Sequence, residues 1–353
     1  MTALALLGAA CAAEEEPAGE GTGTGTEEAA GADFLACQVT DTGGVDDKSF
    51  NQTAYAGLQQ AEDELGVEIK VLESTSDADF EPNIQTFIDQ ECDLIVTVGF
   101  LLGDATAAAA EANPDQNFAI VDVDFFDADK GEDITYDNVK ELTFATDQAA
   151  FLAGYLSAGM TQTGTLGTFG GINIPPVTIF MNGFEAGMEH YNSEEGGDVA
   201  LKGWNSESQN GLFADSFEDL DKGRQLGQQL LDEDADIIMP VAGPVGLGTA
   251  EAVRDSGTGS LVWVDTDGCE SASEFCDLFL TSVMKNMNVA VFQAIEEAVN
   301  GEFTGGLYTG TLENEGVGLA PYHEFEDDVP PELNEAVEQI REEIISGELT
   351  VGG

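Results

Sequence analysis

The sequence predicts an α/β protein with two lobes, each built on a parallel sheet wrapped by helices. From Phe34 onward, short apolar runs typical of buried strands alternate with segments of helical periodicity. This alternation starts again near Ala145, after a first series of similar length. In both series the strands end in polar residues or glycine, and open α/β sheets bind their ligands at such strand ends.

The first series begins with a predicted strand over residues 34–39. Gly43 and Gly44 follow it, and glycine permits the backbone angles of a tight turn into the next helix. That helix carries Tyr55, Leu58 and Leu65 on its apolar face. The rest of the series consists of predicted strands at 69–72, 94–98 and 118–123, with helices near 84–88 and over 105–112.

The second series begins with a predicted helix over residues 145–160. It continues with strands at 165–169, 199–204, 236–241 and 261–264, and with helices at 177–191, 219–231 and 246–255. The remaining elements are too few to form a third domain. They are a strand at 278–283, a helix up to 299, a strand near 307–319 and a helix at 331–345. We therefore expect crossovers between the lobes, with residues 33–145 and about 271–311 in the first lobe, and 146–270 and about 312–353 in the second.

The charge of the chain is strongly unbalanced. Its 69 acidic residues stand against 10 basic residues, which leaves a net charge of −59. This balance argues against a nucleic-acid partner, because binding a phosphate backbone requires a basic surface. The acidic residues are spread along the whole chain, so salt would screen their mutual repulsion. We interpret this as adaptation to a saline habitat; the alternative is a generally acidic set of secreted proteins.

The N-terminal segment has the pattern of a lipoprotein leader. Residues 1–11 form an uncharged apolar run that is too short to span a bilayer and ends in Cys11. Gly8, Ala9 and Ala10 before this cysteine resemble a bacterial lipobox, although Gly8 replaces the usual leucine and no basic segment precedes the run. We therefore expect lipidation at Cys11, and a flexible acidic tether over residues 12–32.

The four cysteines after Cys11 suit disulfides in an oxidising compartment. Cys37 lies in the first predicted strand and Cys92 lies at the start of the strand around 94–98, so they can be bridged if those strands are neighbours. Cys269 and Cys276 lie close together in one loop. Free buried thiols are the alternative, and a metal site is not expected because neither histidine of the chain lies near a cysteine pair.

No arrangement typical of an enzyme emerges from the sequence. An acidic cluster that could hold Ca²⁺ arises easily by chance in so acidic a chain; it consists of Asp122, Asp124, Asp127 and Asp129. The sequence has no Gly-x-Ser-x-Gly nucleophile motif and no phosphate-binding loop of the ATPase type. We therefore expect no catalytic residues, no cofactor and no metal.

The strand ends offer groups that suit a neutral ligand rich in hydrogen-bond donors. Asp41, Asp124 and Asp265 follow predicted strands, and carboxylates accept hydrogen bonds from hydroxyl and amino groups. Phe50 and Phe217 offer flat faces on which a base can stack. A phosphate group would be repelled by these carboxylates.

Lys285 stands out because lysine is scarce in this chain. It directly follows an apolar run at the junction between the predicted lobes. A cation retained there suggests pairing with a buried carboxylate or a ligand hydroxyl. The alternative is a surface lysine at the end of a helix.

Residues 39–51 (VTDTGGVDDKSFN) closely resemble the opening motif of the basic membrane protein family, the substrate-binding lipoproteins of ABC transporters. Further motifs follow in the order of that family, and together they extend the resemblance from about Phe34 to the end of the chain. They are DLIVTVGF at 93–100, FAIVDVD at 118–124, GGINIPPV at 170–177, GFEAG at 183–187, ADIIMPVAG at 235–243, VDTD at 264–267 and LTSVMK at 280–285.

The resemblance implies a periplasmic-binding-protein type I fold, in which two lobes joined by three crossovers close on a ligand. It implies a purine nucleoside as ligand, with Phe50 stacked on one face of the base. Phe217 fits best as the second stacking ring, with Phe213 as the alternative. The base edge would meet Asp41, Asn51 and Asp124, and the ribose hydroxyls would meet Gly243, Asp265 and Lys285.

The resemblance also implies partners and a location. We expect a monomeric protein anchored on the outer side of the cell membrane, which delivers its ligand to an ABC permease with its ATPase subunits. A receptor for sugars or other small solutes on the same fold is one alternative. A nucleoside-hydrolysing enzyme is another.

Overall fold

The computed structural model of the protein describes residues 31–127 and 130–351. The predicted leader with Cys11 and residues 12–30 of the tether predicted over 12–32 lie outside these described residues. In the described residues, no helix combines the length and the apolar character that a membrane span requires.

The first series of elements follows the apolar pattern of the sequence. Leu94–Val98, for example, is an uninterrupted apolar run that is wholly buried, as expected for a parallel strand covered on both faces. The elements are β1 (Leu35–Thr40), α1 (Phe50–Leu65), β2 (Glu68–Leu72), α2 (Phe80–Asp89), β3 (Leu94–Val98), α3 (Gly103–Ala112), β4 (Asn117–Val121), β5 (Phe126–Asp127), β6 (Glu132–Asp133) and β7 (Val139–Phe144).

The second series begins with a helix that is apolar around most of its surface and is buried accordingly. Its elements are α4 (Thr146–Met160), β8 (Thr165–Gly170), α5 (Pro175–Glu195), β9 (Ala200–Lys202), β10 (Trp204–Asn205), β11 (Asn210–Gly211), α6 (Leu220–Asp232), β12 (Ile237–Val241), α7 (Val245–Ser256), β13 (Ser260–Asp265), α8 (Gly268–Ser271), β14 (Phe279–Lys285), α9 (Met287–Val299), β15 (Gly306–Gly310), β16 (Val317–Leu319) and α10 (Pro331–Ser346).

Two six-stranded sheets form the centres of the two lobes. The first has the order β15–β7–β4–β3–β1–β2, and every neighbouring pair is parallel. The second has the order β16–β14–β13–β12–β8–β9 and is parallel except for its edge pair, β14 with β16. The predicted fold of two α/β lobes with parallel sheets is confirmed, with one antiparallel edge strand added.

The chain crosses between the lobes from β7 to α4, from β14 to α9 and from β15 to β16. These are the three predicted crossovers, but two predicted details are wrong. Strand β14 pairs with β13 in the second sheet, so the chain returns to the first lobe after Lys285 and not near residue 271. The predicted strand near 307–319 is two strands in different sheets, because the third crossover lies between them.

Two disulfides join the four predicted cysteines. Cys37 of β1 is bonded to Cys92, which lies just before the neighbouring strand β3, with Cα atoms 6.1 Å apart. Cys269 is bonded to Cys276 within one loop, with Cα atoms 4.4 Å apart. The four cysteines therefore form two disulfide bonds, and the alternative of free buried thiols is wrong.

Candidate functional site

A cavity lies between the two lobes, at the carboxyl ends of strands from both sheets. The free space between the lobes, with the open solvent at its mouth included, amounts to about 580 Å³. The first lobe lines it with the loops after β1, β3 and β4. The second lobe lines it with the segment after β8 and the start of α5, with Phe217 before α6, with the end of β12 and the loop after it, and with the last residues of β13 and β14. Neither lobe therefore forms the site alone.

The turn between β1 and α1 is held by Asp47. Its carboxylate accepts hydrogen bonds from the backbone N–H groups of Ser49, Asn51 and Gln52 at 2.8–3.0 Å. These N–H groups lie at the start of α1, where the helix itself provides no acceptors for them. Asp47 thereby fixes the first turn of the helix, which carries Phe50 and Asn51 into the lining of the cavity.

Asn51 joins the start of α1 to the end of β1. Its Nδ2 atom donates to Asp41 Oδ1 at 2.9 Å and to the carbonyl oxygen of Thr42 at 3.3 Å. Its Oδ1 atom is buried and has no hydrogen-bond partner among residues 31–127 and 130–351. Because an unpaired buried acceptor costs about 1–3 kcal/mol, a donor that reached this atom would offset that cost.

Asp41 is packed closely against the loop after β3. Gly99 in that loop has a φ of 117°, a conformation that favours glycine. A Cβ atom at this position would lie only 2.3 Å from Asp41 Oδ2. Glycine at position 99 therefore provides the space that the carboxyl group of Asp41 occupies.

Lys285, at the end of β14, provides a buried cation to the cavity. Its side chain is 2% exposed, and its Nζ atom lies 2.5 Å from Asp122 Oδ2. The same Nζ atom lies 5.0 Å from the ring centroid of Phe50 and 5.8 Å from that of Phe180. Lys285 is thus paired with a buried carboxylate, and the alternative of a surface lysine is wrong.

Several further contacts hold the two lobes together around the cavity. Ser49 of the first lobe donates through Oγ to Asp265 Oδ2 of the second lobe at 2.7 Å. The indole Nε1 of Trp263 donates to the carbonyl oxygen of Lys48 at 3.3 Å. Together with the ion pair between Lys285 and Asp122, these contacts show that the structure is in a closed conformation, with the two lobes in contact around the cavity.

Burial changes the acidity of the carboxyl groups around the cavity. It raises the pKa of Asp41 to about 8, although the hydrogen bond from Asn51 acts in the opposite direction. It raises the pKa of Asp265 to about 6, and it also raises the pKa of Asp122, while Lys285 lowers both. At neutral pH we therefore expect Asp41 to be mostly protonated in the empty cavity and Asp265 to be mostly ionised.

The aromatic rings of the cavity come from both lobes. Phe50 and Phe217 both line it, and a Cβ atom on Gly171 would lie 2.2 Å from the ring of Phe217. Phe213 does not line the cavity: it packs on Gly170 and meets Trp204 edge-on, with ring centroids 6.0 Å apart. The structure therefore places Phe217, and not Phe213, in the cavity lining together with Phe50.

Asp124 is the one predicted ligand contact that the structure does not bring to the cavity. Its side chain is exposed, and Asp122 lines the cavity in its place. Asp122 has a φ of 67°, so the chain turns sharply directly after β4 and the alternation of a strand no longer applies. The other predicted ligand contacts all line the cavity: Asp41, Phe50, Asn51, Phe217, Gly243, Asp265 and Lys285.

Sequence reasoning also missed apolar residues of the lining. Phe180 and Val177 lie in the first turns of α5, and Phe100 follows β3. Their place in the chain could have indicated this role, because α5 begins shortly after the end of β8 and its first turns therefore face the cleft. The sequence could not separate these residues from ordinary core residues.

One group of side chains in the described residues has metal-ligand geometry. The ligand atoms of Asp267, Cys269 and His323 lie within 4.8 Å of one another. However, the sulfur of Cys269 is bonded to Cys276, so it offers no thiolate. Asp267 instead caps α8 through the backbone N–H of Cys269 and pairs with His323 at 2.7 Å.

Comparisons with known proteins show which chains this protein resembles. The chain is 31% identical over 348 residues to the ABC transporter nucleoside-binding protein BmpA of Lactococcus lactis subsp. cremoris, covering 93% of this chain and 92% of the relative. It is 30% identical to an uncharacterized lipoprotein of Pyrococcus abyssi, covering 86% of this chain and 76% of the relative. A crystal structure of an ABC transporter solute-binding protein from Aeropyrum pernix superposes with a TM-score of 0.79 at 26% identity, over 90% of this chain and 92% of that one.

A family model agrees with these pairwise similarities. The model of PnrA-like ABC transporter substrate-binding proteins matches residues 34–353. The match includes both sheets, all three crossovers and every residue that lines the cavity. The chain therefore belongs to the PnrA-like family of ABC transporter substrate-binding proteins.

Proposed function

We propose that the protein binds a purine nucleoside between its lobes and delivers it to an ABC importer. One observation carries this proposal: Phe50 and Phe217 line the cavity from opposite lobes, together with the unpaired buried acceptor of Asn51. A flat base with N–H donors matches both features. The name of the Lactococcus relative, a nucleoside-binding protein, supports the same class of ligand.

The base would stack between Phe50 and Phe217. Stacking of a base on one aromatic side chain contributes ~1–3 kcal/mol. Because the two rings belong to different lobes, a base between them would stabilise the closed arrangement. Asp41 and Asn51 would then meet the edge of the base.

The ribose would lie on the second lobe. Asp265 accepts hydrogen bonds, Lys285 retains N–H groups beyond its bond to Asp122, and Gly243 lies at the loop that precedes α7. These groups suit vicinal hydroxyls. Several carboxyl groups around one ammonium group would repel a phosphate, so we propose that nucleosides bind and nucleotides do not.

We propose that Cys11 carries a lipid that anchors the protein on the outer face of the cell membrane. The oxidised cysteine pairs Cys37–Cys92 and Cys269–Cys276 suit an extracytoplasmic location, and the Pyrococcus relative is named a lipoprotein. A permease and its ATPase subunits would be the partners of a monomeric binding protein. The acidic surface fits a saline habitat.

Thermal unfolding of the purified protein tests the ligand class. In high salt, guanosine, inosine or adenosine should raise the unfolding temperature, because a ligand that binds only the folded state stabilises it. Phe50→Ala should abolish the increase. The proposal would be overturned if these nucleosides had no effect while ribose or another sugar raised the temperature. Release of free base and ribose during incubation would show a hydrolase instead.

A further inference from the structure

The orientation of the Asn51 amide decides what this residue can offer a ligand. Its Nδ2 atom is engaged by Asp41 Oδ1 and by the carbonyl oxygen of Thr42. Rotating the amide by half a turn would place Oδ1 against these two acceptors, so the hydrogen-bond network fixes the orientation. Asn51 therefore presents only an acceptor, its buried and unpaired Oδ1.

Asp41 presents a second acceptor next to it. Its Oδ1 atom already accepts from Asn51, which leaves Oδ2, the atom that faces the space beside Gly99. Among the described residues, Asn51 is the one hydrogen-bond donor to this carboxyl group. When ionised, the carboxyl group offers acceptors only. Both residues line the cavity and are hydrogen-bonded to each other, so a ligand that reaches one of them lies beside the other.

A base matches two neighbouring acceptors when it carries two neighbouring N–H donors. Guanine has such an edge, formed by N1–H and the 2-amino group. Hypoxanthine keeps N1–H but lacks the amino group, and adenine places its N1 acceptor next to its 6-amino donor. We propose, building on the function proposed above, that Asp41 and Asn51 select the 2-amino-6-oxopurine of guanosine over inosine and adenosine.

The charge around Asp41 links this selection to pH. Asp47 in the turn before α1, Asp122 after β4 and Asp265 after β13 all raise the pKa of Asp41, while Lys285 is paired with Asp122. Burial is the main cause, and it raises this pKa to about 8. Donors of guanine favour the ionised carboxylate, so guanosine binding lowers the pKa of Asp41 and releases a proton at neutral pH. Guanosine affinity should therefore increase as pH rises toward 8.

Calorimetric titration of the wild-type protein tests the selection. At pH 7, guanosine should bind at least tenfold more tightly than adenosine, with inosine between them, because an unmatched buried acceptor costs about 1–3 kcal/mol. Comparing buffers of different ionisation enthalpy should reveal proton release with guanosine. Adenosine that binds as tightly as guanosine would overturn the inference.

The variant Asp41→Asn provides a sharper test. Its amide oxygen can still accept from Asn51, while its NH2 group replaces the free acceptor by a donor. We expect guanosine affinity to fall at least tenfold relative to adenosine, since adenine N1 can now accept. Asp63→Asn makes the same substitution on the exposed face of α1 and should leave the ratio unchanged. An unchanged ratio in Asp41→Asn would overturn the inference.

These outcomes separate the inference from the function on which it rests. If no purine nucleoside binds, the proposed function fails. If purine nucleosides bind without the order guanosine, inosine, adenosine, only the selection by Asp41 and Asn51 fails. If Asp41→Asn does not fold, the order of nucleoside affinities of the wild-type protein and the pH dependence of its guanosine affinity still test the inference. A guanosine affinity that falls between pH 6 and 8 contradicts it.

Discussion

Lys285 and Asp122 form an ion pair between the two lobes, with Nζ and Oδ2 2.5 Å apart and both side chains at most 7% exposed. Lys285 ends β14 of the second sheet, and Asp122 follows β4 of the first. Opening of the lobes would separate the pair and return both groups to water. The pair therefore couples the electrostatics of the cavity to closure of the lobes.

We predict that Lys285→Met weakens nucleoside binding at least 100-fold, since removing one partner of a buried pair costs roughly 3–5 kcal/mol. The closed state would then bury Asp122 without its cation, so the ligand-free protein should populate open lobes. Calorimetry measures the affinity, and small-angle X-ray scattering should show a larger radius of gyration. Lys70→Met, which removes an exposed cation next to Glu68, should change neither quantity. Equal behaviour of the two variants would contradict the prediction.

Phe217 and Phe213 allow a matched comparison within one loop. Phe217→Ala should lower nucleoside affinity by about 1–3 kcal/mol because it removes one stacking surface. Phe213→Ala should lower the unfolding temperature instead, since its ring packs on Gly170 and Trp204. Titration and thermal unfolding of both variants check this. The assignment of the second stacking ring would be wrong if Phe213→Ala caused the larger loss of affinity.

The elevated pKa of Asp41 predicts how stability depends on pH. This pKa is about 8 in the folded protein, against an ordinary value of 3.8. Between these two pH values the folded protein holds a proton that the unfolded chain has lost, so the free energy of unfolding falls as pH rises. Asp41→Asn should reduce that fall. Denaturant unfolding of the ligand-free protein at pH 5, 7 and 8.5 measures it, with Asp63→Asn as the control.

The net charge of −59 predicts a strong dependence on salt. Mutual repulsion of the acidic side chains destabilises the compact state, and the screening length falls from about 30 Å at 0.01 M to about 10 Å at 0.1 M salt. The unfolding temperature should therefore rise steeply over 0.01–0.3 M NaCl. Sucrose at the same molarities should have a much smaller effect. A flat salt profile would contradict screening as the cause.

Much of the site was predictable because parallel strands bring their carboxyl ends to one edge of a sheet. Asp41, Gly243, Asp265 and Lys285 each stand at such an end, and all of them line the cavity. Apolar runs and turn residues mark these positions locally. The two lobes and the presence of crossovers between them also followed from the order of the elements, whereas the number of three crossovers was implied by the resemblance to the family.

The remaining details depend on long-range packing. Whether Asp122 or Asp124 lines the cavity depends on the left-handed backbone conformation of Asp122, which strand periodicity does not predict. The pairing of β14 with β13 sets the position of the second crossover along the chain, and the local sequence of β14 does not indicate which strand it pairs with. Phe217 is distinguished from Phe213 by contacts with Gly171 and Gly170, which lie far away along the chain.

A crystal structure of the protein with guanosine tests the central claim most directly. We predict one nucleoside between the lobes, with its base between Phe50 and Phe217, its edge on Asp41 and Asn51, and its ribose on Asp265 and Lys285. A nucleoside bound elsewhere, or a cavity left without it at saturating concentration, would contradict the account.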